Sequence, residues 1–167
     1  MNIQLRNLVF VSILVFLGIT ANAQSRNIPL LVTVGPTTTF LDNGLGLHFG
    51  LNPSYVLFPR FSLEGQVSYL HTSIGSSFLS GERGSINAFS TMAGGRLYLN
   101  NDSEKIRYYI NILVGWNYFR EKIDGVKKDG EYGFGYGGGA YVELNRLVLG
   151  LSSESPQNLV LKLGYSF

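Results

Sequence analysis

Residues 107–118 read RYYINILVGWNY, and their alternation decides the fold. Tyr108, Ile110, Ile112, Val114, Trp116 and Tyr118 share one parity, while Arg107, Tyr109, Asn111, Leu113, Gly115 and Asn117 share the other. Successive side chains of a strand point to opposite faces, so this stretch is a β-strand with one apolar face and one mixed, polar face.

The same period of two recurs on both sides of it. A first run covers about residues 28–35, and a second sets Leu45, Leu47, Phe49, Leu51, Tyr55 and Leu57 against Gly46, His48, Gly50, Asn52 and Ser54. Phe61, Leu63, Val67 and Tyr69 oppose Ser62, Glu64, Gln66 and Ser68; Phe89, Thr91, Ala93, Leu97 and Leu99 oppose Ser90, Met92, Gly94, Arg96 and Tyr98. Downstream, Tyr132, Phe134, Tyr136, Ala140 and Val142 oppose Gly133, Gly135, Gly137, Gly139, Tyr141 and Glu143. A short run follows, with Leu147, Leu149 and Leu151 against Val148, Gly150 and Ser152. The chain ends on NLVLKLGYSF, where Leu159, Leu161, Leu163, Tyr165 and Phe167 alternate with Val160, Lys162, Gly164 and Ser166. That makes eight runs, and an even number lets an up-and-down meander close on itself. The connections FPR, NNDSEK and LNR are tight, whereas PTTTFLDN, TSIGSSFLSGERGS, REKIDGVKKDGE and SSESPQ are mostly longer and polar. Short turns at one end and long loops at the other are the habit of outer-membrane barrels.

The N-terminus has a separate logic. MNIQLRN carries one basic residue, Arg6; LVFVSILVFLGI is a short apolar core; ANA precedes Gln24. This is the layout of a secretory signal peptide over residues 1–23, with the barrel domain over 24–167. Without Arg6 the 13 basic side chains become 12 against 11 acidic ones, which gives no argument for a nucleic-acid partner. Charged residues are only 14% of the chain, against roughly 25% in soluble domains. The absence of Cys excludes both a disulfide scaffold and a lipidated cysteine.

An eight-stranded barrel admits two inverse readings, apolar face inward round a ligand or outward against lipid. The polar faces here are Gly, Ser, Asn and Gln with isolated charges, unlike the Lys- and Glu-dense exterior of a water-soluble barrel. Aromatic residues mark the ends of the apolar stripes: Phe61 and Tyr69, Tyr108 with Trp116 and Tyr118, and Tyr165 with Phe167. Amphipathic rings settle at membrane–water boundaries, and about ten tilted residues span the roughly 25 Å apolar band of such a barrel. Lipid is therefore the expected outer solvent. Since hydrocarbon does not tolerate an open sheet edge, the last run must pair with the first.

The ending, with Leu161, Leu163, Tyr165 and a terminal Phe167, resembles the C-terminal assembly signal of bacterial outer-membrane proteins. The mature region resembles the small eight-stranded barrels typified by OmpX and the OmpA barrel domain, and GFGYGGGAYVELNRLVLGL is similar to their Gly-rich penultimate hairpin. The resemblance implies location in the outer membrane of a Gram-negative-type bacterium. It also implies contact with lipid and lipopolysaccharide, and recognition by the insertion machinery and periplasmic chaperones during assembly.

Eight strands leave an interior that side chains fill. Arg96, Arg107 and Lys162 are expected inside with Glu64 and Glu143, as a hydrogen-bonded polar network rather than a wide pore. A narrow ion path is the alternative use of these charges. GFGYGG at 133–138 fits a nucleotide fingerprint only in letters, because a strand rather than a helix follows it. The lone His48 lacks partners at ligand spacing, so no metal or other cofactor is expected. Asn101 begins a sequon that reads as turn chemistry. Lys122, Lys127 and Lys128 belong to a loop suited to a surface partner or to lipopolysaccharide phosphates. His71 and Ser73, in HTS, point toward lipid and resemble the H-x-S pair of lipid A deacylases, with Glu82 as the nearest acid. They are the basis of an alternative, enzymatic reading. The leading expectation is a monomeric, non-enzymatic barrel with a structural or surface-contact role, with pairing through Ala93 and Gly95 as its oligomeric alternative.

Overall fold

The computed structural model describes residues 28–39, 44–74, 84–101, 105–123, 125–155 and 158–167; the signal peptide and Glu82 lie outside them. The strands are β1 (Leu30–Thr39), β2 (Leu45–Phe58), β3 (Phe61–Ile74), β4 (Gly84–Tyr98), β5 (Ile106–Ile123), β6 (Val126–Lys127), β7 (Glu131–Leu144), β8 (Leu147–Glu154) and β9 (Asn158–Ser166). Eight of them form the wall, each antiparallel to its neighbours, and the two-residue β6 folds back onto the top of β5. β9 pairs with β1 from Leu31↔Ser166 to Thr39↔Asn158, so the sheet closes into a barrel. Even the last residue is bonded: Phe167 N–H donates to Leu30 O at 3.0 Å. No helix of the described residues is long and apolar enough to cross a membrane, which says nothing of a wall made of strands.

Burial follows the period of two. Along β8, Leu147, Leu149 and Leu151 are exposed while Val148, Gly150, Ser152 and Glu154 are buried. The exposed stripe runs round the barrel through Val34, Phe49, Leu63, Leu97, Ile112 and Leu163. An exterior this apolar is unfavourable in water and favourable in hydrocarbon, so the wall is built to face lipid.

Several stretches read as loops are wall. β1 begins at Leu30 rather than at residue 28 and continues through Pro36 to Thr39. The β1–β9 register skips Gly35 and Pro36, so proline interrupts the ladder locally without ending the strand. Beyond it Thr37 is buried, and its Oγ1 donates to Leu159 O at 3.1 Å. β3 and β4 extend into TSIGSSFLSGERGS, β5 runs to Ile123, and β8 takes in Ser152, Ser153 and Glu154 from SSESPQ. Polar composition marked these residues as loop, yet backbone pairing beyond the lipid boundary needs no apolar side chains. The tight turns lie at the opposite end. Asn145 takes φ 56° between β7 and β8, a conformation Asn tolerates better than most residues. Asn101 accepts from Arg60 Nη2 at 2.6 Å, tying two of these turns together.

Candidate functional site

The lumen is built from inward positions of six strands. β3 supplies Glu64 and Gln66, β2 His48 and Asn52, β4 Arg96, β5 Asn111, β8 Glu154 and β9 Lys162, all buried. Arg96 Nε donates to Glu64 Oε2 at 3.0 Å, and the same carboxylate accepts from Asn52 at 2.8 Å and Asn111 at 3.2 Å. Asn52 also donates to Gln66 Oε1 at 3.0 Å. Gln66 passes the connection on, donating to Glu154 Oε2 at 2.9 Å. Glu154 is the second hub. Its Oε1 is paired with Lys162 Nζ and accepts from Ser152 Oγ at 3.2 Å, while its Oε2 lies 3.1 Å from His48 Nε2. One continuous network thus runs from Arg96 to Lys162.

Toward the tight-turn end the network gives way to aromatic packing. Arg96 lies over the Tyr109 ring at 4.4 Å, Tyr109 stacks on Tyr141 at 4.7 Å, and Tyr98 is tilted against Tyr109 at 5.4 Å. Arg107 and Glu143 stand opposite each other in register on β5 and β7, and the Arg107 guanidinium covers Tyr98 at 3.7 Å. Tyr141 fits because Gly150 has no side chain; a Cβ there would meet the ring at 2.0 Å.

All five lumen charges expected from the sequence therefore point inward, but their balance differs. Glu154 belongs to SSESPQ, which reads as a loop, and it raises the inward acids to three (Glu64, Glu143, Glu154) against three bases (Arg96, Arg107, Lys162). The missed signal was parity: Val148, Gly150, Ser152 and Glu154 continue one alternation. A closed low-dielectric interior tolerates charges when they are paired and hydrogen-bonded, as Glu64 is with Arg96 and Glu154 with Lys162. Among the described residues no group of three His, Cys, Asp or Glu side chains is placed to hold a metal ion.

On the outer wall, Tyr69, Tyr108 and Trp116 are exposed, and Phe61 and Tyr118 are half-buried by neighbours. Above Tyr69, His71 and Ser73 are exposed on the same outward parity. His71 Nδ1 lies 2.8 Å from Asn87 Oδ1, which also accepts from Tyr69 Oη at 2.8 Å. An amide oxygen only accepts, so Nδ1–H is the donor in this contact. The partner found for His71 is thus Asn87.

The wall is uneven. β5 pairs with β4 up to Gly84↔Ile123, whereas β8 stops at Glu154, level in register with Gly137 of β7. Tyr136 O accepts from Ser155 N at 2.8 Å and Phe134 O from Ser155 Oγ at 3.5 Å. Alternate residues of a strand direct their backbone groups to the same side, so those of Tyr132 also face this edge. Among the described residues no strand pairs with it there.

No protein-family model matches the chain, and no curated protein matches it in sequence. Solved structures do resemble it. The attachment invasion locus protein Ail of Yersinia pestis, crystallised with the heparin analogue sucrose octasulfate, superposes with TM-score 0.55 at 18% identity over 84% of this chain and 97% of its own. Neisserial surface protein A gives TM-score 0.54 at 11% identity, covering 83% and 94%. The outer membrane enzyme PagL gives 0.50 at 14%, covering 83% and 98%. The fold is that of the small bacterial outer-membrane barrels.

Proposed function

We propose that this chain is a monomeric integral protein of the bacterial outer membrane that acts at the cell surface by contact, without a catalytic centre or an open pore. The observation that carries this reading is the raised β4–β5–β7 wall with its open β7 edge. Unpaired backbone groups on an exposed strand are a template for an added strand, and the exposed Tyr132 and Phe134 beside them supply side-chain contact. The filled lumen argues against solute passage. The ring of Phe61, which would lie 2.8 Å from a Cβ at Gly95, fills the small-residue gap on the outer face and favours the monomer.

The test uses whole bacteria displaying the protein. Adherence to protein-coated surfaces should exceed that of cells lacking it. Tyr132→Pro should abolish the excess while leaving heat-modifiable mobility intact, because proline removes an edge N–H that no strand of the described residues uses. Adherence indifferent to deletion of the whole chain would sink the reading.

A second reading is favoured by one geometry. His71, oriented by Asn87, has Ser73 two positions along on the same lipid-facing side, an arrangement suited to general-base activation of a hydroxyl against an acyl ester. Lipid A from cells carrying wild-type protein or Ser73→Ala would differ in acylation by mass spectrometry if the pair is active; identical spectra would end this alternative.

A further inference from the structure

We propose that the lumen contains a binding site for a single water molecule beside Gly50, and that this water holds His48 as the neutral tautomer protonated on Nε2.

The site follows from parity and register. His48, Gly50 and Asn52 are successive inward positions of β2, and Gly50 stands directly opposite Thr33 of β1. The middle position has no side chain, and its three neighbours lean over it. A Cβ on Gly50 would lie 2.5 Å from Thr33 Oγ1, 3.0 Å from His48 Cε1 and 3.3 Å from Asn52 Oδ1. All three side chains are at most 2% exposed. Thr33 Oγ1, Asn52 Oδ1 and His48 Nδ1, the ring atom bonded to Cε1, have no hydrogen-bond partner among the described residues. Three buried polar atoms therefore surround one point without bonding to one another, an arrangement that is costly unless something bridges them.

Counting donors identifies the occupant. Asn52 spends both amide hydrogens, on Glu64 Oε1 at 2.8 Å and on Gln66 Oε1 at 3.0 Å, so its Oδ1 only accepts. His48 Nε2 faces the Glu154 carboxylate at 3.1 Å and donates to it. An imidazolium would add a fourth base to the three that already match three inward acids, and its Nδ1–H would have no acceptor within reach. Neutral His48 instead offers a lone pair at Nδ1. The cradle then presents two acceptors, Asn52 Oδ1 and His48 Nδ1, and one hydroxyl free to donate, that of Thr33. Water is the complement. It donates to both acceptors and accepts from the hydroxyl, and three bonds are usual for a buried water. A metal cation would bring an unmatched charge into an interior whose ionic groups already balance.

The carboxylates behind the site strengthen it. Glu154 accepts from His48 and Glu64 from Asn52, which makes Nδ1 and Oδ1 better acceptors. Through the water, Thr33 ties β1 into the network that β2, β3, β8 and β9 already share.

The test uses the mature chain, isotopically labelled and folded into phosphatidylcholine nanodiscs. Two histidines are present, and His71→Asn identifies the His48 signals by elimination. Long-range nitrogen–proton correlation at neutral pH should show His48 protonated on Nε2 alone. A rotating-frame Overhauser cross-peak should join His48 Hε1 to water, with the sign of direct contact rather than of exchange. Gly50→Ala, whose methyl group takes the place of the water, should abolish this cross-peak. Thr33→Val, which removes one partner without adding bulk, should at least halve it. Heat-modifiable mobility checks that each variant closes; if Gly50→Ala does not, wild type and Thr33→Val decide. His48 protonated on both nitrogens, or on Nδ1 alone, would overturn the proposal. So would a missing wild-type cross-peak, or one that Thr33→Val leaves at full strength. A wild-type Nδ1 resonance that moves on treatment with EDTA would assign the cradle to a metal ion and remove the water from it.

Discussion

Glu154 shows how much one buried carboxylate can organise. It joins strands far apart in sequence, pairing with Lys162 through Oε1 and accepting from Gln66 at Oε2, with His48, 106 residues away in the chain, against that same Oε2. Removing one member of a buried ion pair leaves the other charge uncompensated, which costs about 3–5 kcal/mol. Glu154→Ala should therefore lower the urea-unfolding free energy by about that amount, measured in detergent or vesicles. A second residue-scale expectation concerns Gly150, where a Cβ would penetrate the ring of Tyr141. Gly150→Ala should cost about 1–3 kcal/mol in the same assay, as overpacking does, and Tyr141→Leu should relieve part of it. At this scale the inward Lys162 and Arg96 were legible because parity is local. Glu154 was not, because the surrounding Ser, Pro and Gln composition imitates a loop.

Among the elements, β9 carries both closure and the membrane face. Leu163 faces outward between Val34 of β1 and Leu149 of β8, both exposed and apolar. Leu163→Arg should cost about 2–4 kcal/mol as a charge deep in the hydrocarbon, whereas Tyr165→Arg, one step nearer the boundary, should cost less. Unfolding free energies in vesicles check the gradient, and equal costs would contradict the assigned orientation. Element boundaries were the least legible feature of the sequence. β5 keeps its strand through Arg120, Glu121 and Lys122, where hydrophobic alternation has already stopped, because pairing with β4 holds it. Pro36, which reads as a terminator, is absorbed by a local skip in the β1–β9 ladder.

For the whole molecule, closure and filling go together. Six balanced inward charges and a stack of tyrosines occupy the interior, so reconstituted wild-type protein should show no conductance steps above background in planar bilayers. Steps of uniform size would favour the narrow ion path instead. A closed sheet also predicts mobility in cold detergent that changes on boiling.

What the sequence alone determined is the face each residue of the alternating runs presents and the number of long strands, because a two-residue period is written into the order of side chains. It also placed most of the inward charges, for the same reason. The pairing of those charges, the neutral balance completed by Glu154 and the low β8 rim beside the high β5 wall were decided only by tertiary structure. Each depends on the register between strands distant in the chain, and register is settled by closing the sheet, a condition that no local stretch contains.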